Sequence, residues 1–196
     1  MRIDGRTTIG DSKEIIRWLR GKRGAPFLEE KNSELMNLFD TQLALNVRRW
    51  VYSELFAKKP QIVLDIWMQH VPAWQKALAP LLFPAAQFLL SIFLGLKKKD
   101  AAKVSLHKVE EVLRKVDNLL EDGRNYLCGN SLSMEDIAFA SLCAPIVSGV
   151  SKYGGKNSID RKIEEMPESL KRQFSLWDQR PFAKFVKRIY NEERVC

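Results

Sequence analysis

Histidine and cysteine are scarce in this chain: two histidines, His70 and His107, and three cysteines, Cys128, Cys143 and Cys196, stand among 196 residues. Neither histidine belongs to a set of ligands at metal-site spacing, so no metal is expected. The cysteines show no C-x-x-C spacing, which argues against a disulfide framework as well as a zinc site. Cys196 is the last residue and cannot be the prenylated cysteine of a C-terminal lipidation box. The first 24 residues lack the apolar core of a secretory signal and carry seven basic and three acidic side chains. The expectation is a reduced, intracellular compartment, the cytoplasm first and an organelle as the alternative. Strand-like alternation is absent after residue 20, and so are repeats and low-complexity tracts. A basic stripe with interleaved aromatics is also absent. The formal charge of +8 comes from 32 basic residues interspersed with 24 acidic ones, so no specific nucleic-acid partner is expected.

What is present is ordinary globular composition, 45% apolar and 29% charged, with one unusual run. Residues 77–96, ALAPLLFPAAQFLLSIFLGL, carry no charge and are followed by Lys97, Lys98 and Lys99. Twenty such residues have the length of a bilayer span. Pro80 and Pro84 are expected to interrupt the first half, leaving 85–96, the length of a core helix. The expectation is therefore a buried helix and no membrane partner.

The chain divides by pattern. Asp4-Gly5 is a hairpin dipeptide between two short β-compatible stretches, followed by a helix start at Gly10-Asp11-Ser12 with Ile15, Ile16 and Leu19 on one face. Residues 21–30 read as a polar linker. From 31 to 196 the periodicity is helical. The expected helices run from Asn32 or Ser33 to Lys58, Gln61 to His70, Pro72 through the apolar run, Ala101 to Glu121, Ser133 to Val150, and Pro181 to Glu193. The fold class is an all-α bundle preceded by a short β-β-α segment.

Asp136 heads the apolar run Ile137-Ala138-Phe139-Ala140, where a bare carboxylate would be costly. Ser133 lies three residues earlier, completing S-x-x-D, a capping-box variant. Leu132 and Ile137 fall where a hydrophobic staple belongs. Ser133 and Asp136 therefore read as structural N-cap residues rather than catalytic ones.

The segment Gly129-Asn130-Ser131-Leu132-Ser133-Met134-Glu135-Asp136 fits G-x-x-[LF]-[ST]-x-x-D and resembles the glutathione transferase C-terminal helical domain, as do Asp122 to Leu127 before it. DGRTTIGDSKEIIRWL is similar to the end of that family's thioredoxin-like domain, and RPFAKFVKRIYNEER to the last helix of a bacterial and plastid-type subgroup. The resemblance implies residues 1–20 as a remnant of the glutathione-binding domain, 21–30 as linker and 31–196 as the helical domain. It implies that Asp11 and Ser12 bind the γ-glutamyl end of glutathione, as substrate, and that the helices line a pocket for an apolar electrophile. It also implies a possible homodimer. A family enzyme has about 50 to 60 further residues before this hairpin, enough for a β-α-β-α half carrying the thiol-activating Ser, Tyr or Cys. The expectation is thus an N-terminally truncated form, weakly active or inactive alone, with no catalytic residue of its own. Two alternatives stand beside it: a non-catalytic assembly module of the kind that recurs in translation-factor and synthetase complexes, and a membrane-associating form.

Overall fold

Residues 2, 3, 7, 8, 10, 14, 15, 18, 30–69, 71–150 and 163–193 are described by a computed structural model. Near the start, β1 (Arg2–Ile3) and β2 (Thr7–Thr8) pair antiparallel, with Arg2 opposite Thr8 and Ile3 opposite Thr7. Glu14, Ile15 and Trp18 are helical. Asp11 and Ser12 lie outside the described residues.

The body is built from helices whose starts follow local chemistry. Asn32 caps α1 (Ser33–Leu38), its side chain accepting from the Leu35 N–H at 2.9 Å. A wider π-helical stretch, Phe39–Ala44, carries the rod into α2 (Leu45–Lys58). Pro60 opens α3 (Pro60–Trp67), where its missing N–H has no intrahelical partner to lose. Next come α4 (Ala73–Phe93), α5 (Ala101–Leu120), α6 (Met134–Cys143), α7 (Glu168–Trp177) and α8 (Pro181–Arg188), which runs on through a π-helical end, Ile189–Glu193.

The long rod and α5 form the central hairpin. Val109, Val112, Leu113 and Val116 line the inner face of α5, at most 2% exposed, with Phe39, Leu43 and Val47 opposite. Val104, at the open end of that stripe, is exposed. Aromatic pairs close the core: Phe39 meets Phe139 at 5.1 Å, and Trp50 meets Trp177 at 5.2 Å. One expected boundary changes markedly, and one helix is new. The helix starting at Ser133 ends at Cys143, because Pro145 cannot donate to the next turn and Ala144–Ile146 tightens into a 3₁₀ turn. The helix α7 was not foreseen, although Leu170, Phe174 and Trp177 bury at helical spacing.

The apolar run departs most from expectation. It is one unbroken helix of 21 residues, with Pro80 and Pro84 inside it. Four residues apart, the two prolines share a face, and the carbonyls they orphan belong to Lys76 and Pro80, both exposed residues that water can reach. Nor is the helix buried: Ala79 alone of its residues is, while Phe83 and Leu90 only rest on the core. The helix ends in a Schellman turn, Leu96 N–H to the Ser91 carbonyl and Gly95 N–H to that of Ile92, with Gly95 at φ 65°. By length and composition α4 is able to cross a membrane. The ground for expecting a buried helix and no membrane partner, interruption by the prolines, is thereby removed, and the expected burial is not found.

Candidate functional site

The N-terminus of α6 holds three fully buried polar side chains, Ser133, Glu135 and Asp136. The capping box is present in both directions, as the spacing implied. Asp136 Oδ2 accepts from the Ser133 N–H and hydroxyl, both at 2.7 Å. Its Oδ1 accepts from the Leu127 N–H at 2.7 Å, so the same carboxylate also pins the preceding loop. Leu132 and Ile137 line one groove on the outer side of this start, consistent with a staple. Gly129 of the same motif sits at φ 83°, a left-handed conformation that a side chain would strain.

Glu135 was not singled out by the sequence. Its Oε1 accepts from the N–H groups of Lys31 and Asn32 at 2.7 and 2.6 Å, and its buried Oε2 has no hydrogen-bond partner. Lys31 reaches back, its ammonium donating to the carbonyls of Cys128 and Ser131 and to the Ser131 hydroxyl. The start of the helical body is thus bolted to the α6 motif by a strap whose ends lie 104 residues apart. No local pattern in the sequence signals such a partner.

These acids also decide what the cysteines can do. Burial, followed by the charges of Glu135 and Asp136, pushes the Cys128 thiol up to about 11. Burial pushes Cys143 well above the usual thiol range. The thiolate, the nucleophilic form, is therefore a minor species of either at neutral pH.

Space for a ligand lies elsewhere. A groove of about 380 Å³ runs between α6 and the C-terminal helix, lined by Leu132, Ile137, Ala140, Ser141, Ile189, Tyr190 and Glu193. A second, of about 220 Å³, lies between α2 and α3, walled by Val47, Val51, Leu55, Val63 and Ile66, with Arg48, Tyr52 and Trp67 as its polar members. The chemistry separates them. Addition of a thiolate to an electrophile builds negative charge on the substrate, which a cation and a hydroxyl stabilise and a carboxylate does not. Arg48 is exposed at the rim and, among the described residues, has no carboxylate partner. The Tyr52 hydroxyl receives only a long 3.4 Å bond from the Trp67 indole. The Glu193 carboxylate, by contrast, faces the first groove, already accepting the Tyr126 hydroxyl at 2.5 Å. Tyr52 and Trp67 belong to an aromatic cluster with Phe56 and Phe83, at ring separations of 5.2 to 6.4 Å, which holds α2, α3 and α4 together at the groove.

Among the described residues no group of three His, Cys, Asp or Glu side chains is gathered as a metal would require. No curated protein and no solved structure matches the chain. A family model does, that of the glutathione S-transferase C-terminal domain, over residues 72–148, which takes in α4, α5, the Gly129 motif and α6. The matched stretch is similar to that domain, and the helical body with its capped α6 agrees with the likeness.

Proposed function

We propose that this chain supplies the electrophile-binding side of a glutathione-conjugating site, with the α2–α3 groove as the pocket for the apolar substrate. The observation that carries the reading is the family match over residues 72–148. The groove supports it, because valine, leucine and isoleucine walls take an apolar body while Arg48 and Tyr52 face the charge that thiolate addition develops. In this reading residues 1–20, with their β1–β2 pair, are part of a thioredoxin-like glutathione-binding unit, 21–30 the linker, and 31–196 the helical domain. Asp11 and Ser12 hold the γ-glutamyl end of glutathione, and none of the described residues is assigned the activation of its thiol. Conjugating activity of this chain alone is weak or absent. A reducing, cytoplasmic setting suits Cys128 and Cys143, both free thiols, and a homodimer is part of the same family-based reading.

The test is a titration of the 196-residue chain with a nitroaryl halide, read by tryptophan quenching, beside a conjugation assay with glutathione. Binding is expected, weakened about tenfold by Arg48→Ala together with Tyr52→Phe, the size of losing one or two modest polar contacts. Conjugation is expected to stay at the uncatalysed rate. Binding indifferent to both substitutions and to Val51→Trp, which fills the groove, would remove the pocket from this place. Turnover by the chain alone would show a thiol-activating group within it.

A further inference from the structure

The outward face of α4 belongs to none of this. Trp74, Leu78, Leu81, Leu82, Phe88, Leu89, Ile92 and Phe93 are 48 to 82% exposed, a continuous apolar face on a helix about 31 Å long. The opposite face is held to the body through Ala79, Phe83 and Leu90 and by the Arg49 guanidinium, whose Nε donates to the Leu94 carbonyl at 2.6 Å. So large an exposed patch marks an interaction surface rather than chance.

Charge tells which surface covers it. From residue 66 to 99 there is no acidic side chain, whereas Lys76 stands in the first turn and Lys97, Lys98 and Lys99 follow the last. Lys97 Nζ lies 4.4 Å from the Phe88 ring centre, at the edge of the apolar face. Trp74 sits at one end of the helix, where an indole suits a membrane–water boundary. A second copy is a poor occupant: a parallel two-fold contact sets Lys97, Lys98 and Lys99 against their own copies, and an antiparallel one offers them no acidic partner anywhere from residue 66 to 99. We infer that α4 lies in the plane of an anionic membrane surface, its apolar face sunk among the acyl chains and Lys97, Lys98 and Lys99 on the phosphates. It lies on the bilayer rather than crossing it, because its other face is fastened to the helical body. This inference does not rest on the conjugation reading.

The test uses the full 196-residue chain and sedimentation with vesicles of phosphatidylcholine alone or with about one-third phosphatidylserine. Binding to the anionic vesicles is expected, released by salt and by carbonate, with little binding to the neutral ones. Lys97→Gln, Lys98→Gln and Lys99→Gln together are expected to weaken it on the order of a hundredfold, since each basic residue near such a surface is worth about fivefold. Leu81→Glu with Leu89→Glu, at exposed positions, is expected to abolish it while the thermal transition stays put. Failure to bind either vesicle overturns the inference, as does equal binding to both that the lysine substitutions leave unchanged. A concentration-dependent dimer lost in the Leu81→Glu, Leu89→Glu variant, without vesicle binding, also overturns it and gives the face to a second copy.

Discussion

Asp136 does more than start a helix, and its substitution tests how much more. Removing it leaves two backbone N–H groups and a hydroxyl unpaired in a buried site. Asp136→Ala is expected to cost about 3 kcal/mol in urea denaturation, well beyond the surface norm. Asp136→Asn keeps one acceptor and is expected to cost less. Burial holds this carboxyl above its ordinary value of 3.8, against the hydrogen bonds from Ser133 and Leu127. With the folded value the higher one, its contribution is whole below the unfolded pKa and declines as pH rises through the folded one. The gap between wild type and Asp136→Asn is therefore expected to narrow as pH rises above about 4, measured at matched ionic strength. Glu135 gives the contrasting case. Glu135→Gln preserves the acceptor used by Lys31 and Asn32 and replaces an oxygen that pairs with nothing, so stability is expected to change by less than about 0.5 kcal/mol. It also removes a charge that raises the Cys128 thiol, so iodoacetamide should label Cys128 faster in the variant at any pH below about 11.

At the scale of elements, α4 separates length and hydropathy from burial. The sequence announces a helix-sized apolar run, but which of its faces meets the core depends on what α3 and the α2 end present, and no periodicity along α4 itself encodes that. The two faces predict different costs. Phe83 packs against Phe56 and Trp67, so Phe83→Ala is expected to lose about 2 to 3 kcal/mol, toward the lower end for a large-to-small change because the site is half-buried. Leu81, 78% exposed, contributes little to the fold, and Leu81→Ala is expected to stay within about 0.5 kcal/mol. Equal losses at the two positions in thermal denaturation would mean that α4 is packed differently. The prolines were misread for a related reason: a proline breaks a helix through an unsatisfied carbonyl, and on an exposed face water satisfies it.

Across the whole molecule, what was legible is what is local. The capping box at Ser133 and Asp136, the stripe of α5 and the Asn32 cap all rest on residues three or four apart, and all stand where the spacing put them. What was not legible joins distant segments: the strap from Glu135 to Lys31, the groove shared by α2 and α3, and the junction of α5 with α7 and α8. That junction is the strongest test of how the bundle closes. Glu110 and Asp117 project from α5 toward Arg180, which donates to Glu110 Oε1 at 2.6 Å and to Asp117 Oδ2 at 2.7 Å. The same two carboxylates take the Trp177 indole at 2.9 Å and the Phe182 N–H at 2.8 Å, so they hold the end of one helix and the start of the next. Arg180→Met keeps an apolar stem but removes the guanidinium, which lies 5.2 Å from the Phe182 ring centre, and leaves two partly buried carboxylates without their shared cation. Breaking a buried pair from one side costs about 3 to 5 kcal/mol, and the partial exposure of all three groups lowers the expectation here to about 2 kcal/mol. Asp117→Asn on that background removes one of the opposed charges, so the double variant is expected to be less destabilised than the sum of the two singles. Strict additivity in a double-mutant cycle by urea denaturation would mean that Arg180 closes the bundle by packing alone.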